Sequence, residues 1–197
     1  MIKQLAVIRA LAIAAFLLLA AEAKAQALDD GVYGRFLGDL ELDFGLGAEL
    51  DAPTRAAIRG SVHYFSMAGL YVGYQDAFRD GDDGDRRVLG FGIDLRPAFI
   101  PRWAKNMQQG PAFVDLFIDS IGLGLGAFWA QPAQADFGAA RGFEASLGAG
   151  LPLFAAAPGP WLEARGTLRW AESEAVDPAL LLLLSWHAFV QTPLTDI

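Results

Sequence analysis

The sequence predicts an all-β protein, an eight-stranded antiparallel up-and-down transmembrane β-barrel preceded by a cleavable signal peptide. Three observations lead to this fold class. Apolar and polar residues alternate with a period of two in seven separate runs, as in strands with one apolar face, and an eighth run over 179–189 is apolar on both faces until Ser185 and His187. Hydrophobic residues make up 54% of the chain and charged residues 19%, and the mean hydropathy is +0.32. After residue 25 no apolar run reaches the roughly 20 residues that a transmembrane helix needs.

Composition also excludes several classes of protein. The chain has 197 residues, which is the length of one domain. It contains no cysteine, so disulfides, thiolate metal sites and a cysteine nucleophile are excluded. The formal net charge of −8 argues against a basic surface for nucleic acid. We therefore expect no nucleic-acid partner, and no motif indicates a cofactor.

The first 25 residues have the three parts of a signal peptide. Lys3 and Arg9 precede an apolar stretch over residues 10–21, and Ala23-Lys24-Ala25 follows as a small-residue cleavage site. The apolar stretch is too short to span a bilayer as a helix. We expect cleavage after Ala25, which leaves residues 26–197 as one barrel domain with 12 basic and 22 acidic residues, a net charge of −10.

The clearest strand runs from Asp39 to Leu50. Its even positions are apolar, and its odd positions are acidic or glycine. A helix would spread these two sets around its circumference, whereas a strand separates them onto two faces. The same alternation recurs in six further runs, over 55–64, 70–78, 89–95, 121–129, 143–151 and 162–170. Proline, glycine and aspartate in the segments between the runs indicate turns.

Two segments do not follow the simple pattern. The link from Pro97 to Pro111 is long enough for a short helix lying at the interface. After it, Val114, Leu116 and Ile118 predict the start of the fifth strand, and a one-residue bulge near 119–120 would bring them into phase with the odd apolar positions that follow. The eighth run, 179–189, follows a good helix start, but we predict a strand because seven strands would leave two unpaired edges in lipid.

The distribution of charge predicts which face of each strand points outward. Only one lysine follows residue 24, and the polar faces combine glycine with charges of both signs. An arginine that points into lipid at the midplane costs about 2–4 kcal/mol. We therefore expect the apolar faces to be turned outward and an interior charge network. Its predicted members are Asp39, Glu41, Asp43, Arg59, His63, Asp94, Arg96, Glu144, Glu163, Arg165 and Arg169.

Two further groups of residues bear on this orientation. Glycines on the polar faces would make room for long charged side chains, because eight strands enclose a narrow interior. Trp129, Trp161, Trp170 and Trp186 lie near predicted strand ends, where aromatic girdles occur. The alternative is a secreted lipocalin-like soluble barrel, which would have its apolar faces inside.

The signal peptide, the eight alternating strands and the acidic turns resemble small outer-membrane barrels of the OmpA/OmpX type over residues 31–190. The resemblance is architectural. It implies insertion by the barrel-assembly machinery into the outer membrane of a Gram-negative bacterium, with outer-membrane lipid and lipopolysaccharide as its surroundings, and we expect a monomer. The chain departs from such proteins at its end, which is Ile197 rather than an aromatic residue, so Phe189 would have to serve as the assembly signal.

Two groups of residues could carry chemistry. Ser185 and His187 project from the same face of one strand, and Glu163 lies on the preceding strand, a combination that acyl transfer uses. No nucleophile-elbow sequence surrounds Ser185, so we favour a place in the interior hydrogen-bond network. Four aspartates form an acidic loop that could hold Ca²⁺, but the loop lacks the later glutamate and the spacing of a calcium loop, and a solvated turn is the simpler interpretation. These residues are Asp80, Asp82, Asp83 and Asp85.

The function that we predict from the sequence is structural or surface-interacting and not enzymatic, with a polar interior that plugs the barrel. One alternative is a hydrolase that trims acyl chains from lipid A. A second alternative is a small channel, which a barrel of eight strands disfavours because side chains fill its interior.

Overall fold

The structure, a computed structural model, is a closed barrel of eight antiparallel strands. It describes residues 33–50, 53–78, 84–171 and 176–193. The predicted signal peptide, 1–25, lies outside the described residues. The strands are β1 (Leu40–Leu50), β2 (Arg55–Tyr64), β3 (Ala68–Asp76), β4 (Asp85–Leu95), β5 (Gly122–Pro132), β6 (Ala140–Pro152), β7 (Gly159–Ala171) and β8 (Asp177–Val190).

Each strand pairs with its neighbours in the sequence, and β8 closes the barrel on β1. The closing ladder is continuous from Leu40 opposite Val190 to Leu50 opposite Leu180. The predictions of an eight-stranded up-and-down barrel and of an eighth strand over 179–189 are therefore confirmed. Closure satisfies the backbone hydrogen bonds of both strands that would otherwise be edges.

The two faces of each strand differ in chemistry. On β1, Phe44 is 51% exposed on the outer wall, whereas Glu41 is 2% exposed inside the barrel. The interior also holds small apolar clusters, and in one of them Leu181 and Leu183 of β8 pack against Ala57 of β2. This cluster explains why the eighth run is apolar on both faces.

The prediction that Val114, Leu116 and Ile118 start the fifth strand is wrong. Residues Ala112–Asp119 form a helix, here called α2, and β5 starts only at Gly122. No bulge lies near 119–120, and the register irregularity of this part of the barrel lies between Asp85 and Arg87 instead. The earlier link does contain the predicted short helix, α1 (Phe99–Ala104).

The antiparallel order brings both ends of the barrel chain to one end of the barrel, the cap end. A short 3-10 helix (Arg35–Leu37), α1, α2 and the turn between β6 and β7 lie there. The loops between β1 and β2, β3 and β4, β5 and β6, and β7 and β8 lie at the opposite end, the loop end. Among the described residues, no helix combines the length and the hydrophobicity required to cross a membrane.

Candidate functional site

The candidate site is the polar interior, where alternate residues of every strand face the axis. Ten of the eleven residues in the predicted charge network are buried, and Glu163 is half-buried. Asp39 lies apart from the others, just before β1. It accepts hydrogen bonds from the backbone N–H of Thr192, at 2.6 Å, and from the hydroxyl of the same residue. Asp39 therefore ties together the two ends of the barrel chain.

Glu41 is the centre of the part of the network nearest the cap. Its Oε1 lies 2.6 Å from Nη1 of Arg96 and 2.7 Å from Nδ1 of His187. Asp43, two residues further along β1, lies 3.4 Å from the second guanidinium nitrogen of Arg96 and 3.6 Å from Nδ1 of His63. These contacts link four strands or strand ends across the axis, so the side chains fill this part of the interior.

Asp94 holds the middle of the barrel together. Its Oδ2 accepts hydrogen bonds from Arg59 at 3.1 Å and from Arg165 at 2.7 Å. Arg165 also donates to the hydroxyl of Ser146 at 3.0 Å. The guanidinium of Arg59 lies 3.9 Å from the ring centroid of Tyr71, in a cation–π contact. One carboxylate thus neutralises part of the charge of two arginines.

Glu49 organises the part of the network nearest the loop end. It accepts hydrogen bonds from Arg55 at 2.8 Å and from Arg169 at 2.7 Å. Arg169 also contacts Glu144 at 3.3 Å, and Glu144 accepts from the hydroxyl of Tyr71 at 2.7 Å. Glu49 and Arg55 are not among the residues predicted for the network. The signal was present, because Glu49 continues the odd-numbered polar face of β1.

Glycines line the places where the long charged side chains cross the barrel. A Cβ added to Gly90 would lie 2.6 Å from Oε1 of Glu144, and one added to Gly148 would lie 3.0 Å from Nε of Arg165. Larger residues at these positions would displace the ion pairs. The glycines therefore set the shape of the interior, as the width of an eight-stranded barrel requires.

The structure brings Ser185, His187 and Glu163 together inside the barrel. Nε2 of His187 lies 3.3 Å from Oγ of Ser185 and 3.0 Å from Oε1 of Glu163, and that glutamate also accepts from the serine hydroxyl. Because Nδ1 of the same ring contacts Glu41, a carboxylate faces each ring nitrogen. Both ring nitrogens of His187 can donate a hydrogen bond to the carboxylate that each one faces. A ring that donates from both nitrogens has no free lone pair, so it cannot accept the proton of Ser185 as a general base. Ser185 is 1% exposed and faces the axis.

Trp161 faces the axis as well, contrary to the prediction that it belongs to an aromatic girdle. It stacks on His187 with ring centroids 4.7 Å apart, and its indole N–H donates to the backbone of Ala157 at 2.8 Å. Its position on β7, two residues before Glu163, puts both side chains on the same face. A cavity of only about 10 Å³ lies between Trp161, Arg96 and Glu163.

A second ionic cluster joins the elements of the cap to one another. Asp119 of α2 contacts Arg35 at 2.8 Å and Arg102 of α1 at 2.5 Å, and Arg102 also pairs with Asp115. The hydroxyl of Tyr33 donates to Asp115 at 2.8 Å. Burial, together with the hydrogen bond to this carboxylate and its charge, raises the pKa of Tyr33 to about 12. The cluster joins the segment before β1 to both helices.

The structure describes only one of the four aspartates of the acidic loop. Asp80, Asp82 and Asp83 lie outside the described residues, and Asp85 begins β4, where its backbone oxygen accepts a hydrogen bond from Arg55 at 2.7 Å. Within the described ranges, no three histidine or acidic side chains are grouped closely enough to hold a metal ion.

Comparison with known proteins adds no family. Neither a protein-family model, nor a curated protein, nor a solved structure matches this chain.

Proposed function

We propose that the protein is an outer-membrane β-barrel with a plugged polar interior, and that its role is structural or surface-interacting. The observation that carries the proposal is the distribution of side chains between the two sides of one closed sheet. Large apolar side chains cover the outer wall, and buried ion pairs fill the interior. A lipocalin-like soluble barrel has the reverse arrangement.

The outer wall supports a membrane setting because its apolar surface continues around the barrel. Leu42, Val72, Phe91, Leu125 and Leu147, on five different strands, are each exposed. Monomeric soluble proteins rarely expose contiguous apolar patches larger than a few hundred Å². The strands have 9 to 14 residues, long enough for a tilted strand to cross a bilayer.

The orientation in the membrane follows from the same architecture. A chain that inserts from the periplasm keeps both of its ends on that side when its strand number is even, and both ends of this barrel chain lie at the cap end. The chain ends, and not the loop lengths, carry the orientation, because the long link over 96–121 also lies at the cap end. We therefore infer that the cap end, with the start and end of the barrel chain, faces the periplasm, and that the loop end faces the cell surface. Insertion would use the barrel-assembly machinery, lipopolysaccharide and phospholipid would surround the wall, and the closed sheet needs no second copy to satisfy its edges.

The interior supports a closed barrel over a diffusion pore. Ion pairs cross the axis near the cap, at the middle and near the loop end, through Glu41, Asp94 and Glu49 respectively. Removing one partner of a buried pair costs about 3–5 kcal/mol, so opening a path for solutes would be expensive. Planar-bilayer recording of the purified barrel tests the channel alternative, and we expect no conductance. Stable unitary currents would contradict the plug.

The membrane assignment is tested by two measurements on one preparation. The protein is folded into detergent or phospholipid vesicles, and its mobility on SDS gels is compared with and without boiling, beside far-ultraviolet circular dichroism. We expect a strand-rich spectrum, a heat-dependent mobility shift and flotation with the vesicles. A protein that stays soluble and monomeric without detergent, and does not float with vesicles, would overturn the proposal.

The alternative of a lipid-A acyl hydrolase is tested in cells. Ser185→Ala and His187→Ala variants are compared with wild type by mass spectrometry of lipid A. We expect unchanged acylation, because Ser185 faces the barrel axis and lies away from the lipid on the outer wall. If both variants are folded but no longer remove an acyl chain that the wild type removes from lipid A, the result would favour the enzyme.

A further inference from the structure

The outer wall contains a groove at the loop end, across strands β5, β6 and β7. Its volume is about 340 Å³, within the range of about 300–1,000 Å³ that small-molecule sites occupy. Aromatic side chains and one arginine line it. The side chains that matter here are those of Ala127, Trp129, Arg141, Phe143 and Trp170.

Arg141 is a cation on an otherwise apolar wall. It is the second residue of β6 and follows the buried Ala140, so its side chain faces outward, and it is exposed. Arg87, another outward arginine at this end, is neutralised by Asp76 at 3.0 Å. Arg141, in contrast, forms no ion pair with any residue that the structure describes. Its charge is available to a ligand in the groove.

One aromatic side chain of the groove lies level with Arg141, and two lie further from the rim. Trp129 is the β5 partner of Arg141, and it stacks on Phe91 with ring centroids 5.2 Å apart. Phe143, the next outward residue of β6, pairs with Trp170 and is 74% exposed. Two residues of a strand span roughly 7 Å. The groove therefore has a cationic end near the rim and an apolar end towards the middle of the wall.

We propose that this groove binds a phosphorylated lipid of the outer leaflet. The proposal rests on the proposed function, because the loop end must lie at the outer membrane surface. Arg141 donates to the phosphate, which a guanidinium can bind through two hydrogen bonds. Trp129, Phe143 and Trp170 enclose the upper part of an acyl chain. From rim to midplane, Arg141 and Trp129 come first, and Phe143 and Trp170 follow. This order matches headgroup and chain in a lipid, because indole rings lie at the headgroup level.

Native mass spectrometry of the purified protein in detergent micelles tests the site. The probes are phosphatidic acid, diacylglycerol as the same chains without phosphate, and inorganic phosphate as the same anion without chains. Three variants are compared with wild type. Arg141→Gln removes the cation, Ala127→Phe fills the floor of the groove, and Lys105→Gln removes an exposed cation at the cap end as the matched control.

We expect wild type to retain one phosphatidic acid in preference to diacylglycerol. Arg141→Gln should weaken the binding of phosphatidic acid about tenfold, because one charge-assisted hydrogen bond is lost. The binding of diacylglycerol should be unchanged. Ala127→Phe should weaken the binding of both lipids, and Lys105→Gln should change the binding of neither. Heat-dependent gel mobility shows that each variant is folded.

Three results would overturn the site. They are equal binding of phosphatidic acid by Arg141→Gln and wild type, equal losses in Arg141→Gln and Lys105→Gln, and displacement of the lipid by inorganic phosphate at comparable concentration. A failure of the proposed function is distinguishable, since it appears as a failure of vesicle flotation. Flotation without selective lipid binding contradicts only the site.

Discussion

The ion pairs of Glu49 provide the most direct test of the interior network. In the Glu49→Gln variant, side-chain size is kept and the negative charge between Arg55 and Arg169 is lost. Each arginine contacts that carboxylate at 2.6–2.8 Å, and all three side chains are at most 3% exposed. The variant leaves two buried guanidinium groups facing a neutral amide.

The magnitude follows from what each arginine retains. Breaking a buried ion pair by removing one partner costs about 3–5 kcal/mol. Arg55 still donates to the backbone oxygen of Asp85, and Arg169 keeps its 3.3 Å contact with Glu144. These contacts place the expected loss of unfolding free energy at the lower end, about 3 kcal/mol.

The measurement is urea unfolding of the barrel in lipid or detergent, followed by tryptophan fluorescence and by gel mobility. We expect a lower midpoint with an unchanged slope, because the surface exposed on unfolding stays the same. The control is Asp136→Asn in the exposed turn between β5 and β6, which should leave the midpoint unchanged. The double variant Glu49→Gln/Arg169→Gln should lose about 1–3 kcal/mol less unfolding free energy than the sum of the losses in the two single variants. A loss in Glu49→Gln below about 0.5 kcal/mol, or strict additivity, would refute the reasoning.

Three further predictions test the faces of the sheet and the cap. Gly90→Ala should destabilise the barrel by about 1–3 kcal/mol, because its Cβ would lie 2.6 Å from the carboxylate of Glu144, which Tyr71 and Arg169 hold in place. Gly60→Ala, with its nearest neighbour at 3.7 Å, should be tolerated in the same urea assay. Phe44→Arg should cost about 2–4 kcal/mol in a bilayer, and an unchanged unfolding midpoint in vesicles would argue against lipid on that face. In the folded protein the pKa of Tyr33 is raised to about 12 from 10.0, so its hydrogen bond is intact below pH 10 and is lost as the pH rises through about 12. Ultraviolet titration of tyrosinate in wild type minus Tyr33→Phe should show that transition, and a difference centred near 10 would contradict it.

The barrel itself could be predicted from the sequence because its signal is local. Alternation within each run identifies a strand, and the closing strand β8 follows from the requirement that both edges be paired. The chemistry of the faces could be predicted for the same reason, since a polar odd-numbered residue such as Glu41 has to share a side with its neighbours two positions away.

The fifth strand was predicted to start too early because a short apolar helix imitates alternation. Val114, Leu116 and Ile118 satisfy a period of two, but Asp115 and Asp119 lie four residues apart and both turn towards Arg102. That spacing is the helical signal. The side chain with which both aspartates pair, Arg102, lies on α1. The choice between helix and strand therefore depends on a tertiary contact that a local sequence pattern does not contain.

The ion pairs within the network could not be predicted from local sequence patterns. Sequence shows which residues face the axis, but Glu49 and Arg169 are 120 positions apart and meet only when the barrel closes. Likewise, Ser185 and His187 have the composition of a catalytic group, and only the folded barrel shows that Glu41 lies against the far nitrogen of the imidazole.

The ionic interior and the apolar wall together specify the register of the strands that carry interior charges. A slip by one residue exchanges the two faces of a strand. In the proposed membrane setting, a slip of β7 would move Arg165 into lipid near the midplane, at about 2–4 kcal/mol, and would move Arg169 into lipid nearer the loop end at a smaller cost. The slip would also bury Leu168 in place of ion-pair partners of Asp94 and Glu49. Because a slipped strand with interior charges is destabilised both outside and inside, a single register is favoured for it even though many of the interior residues are glycine. A barrel that selects its register in this way keeps its interior closed as a consequence, since the side chains that specify pairing are the same ones that fill the lumen.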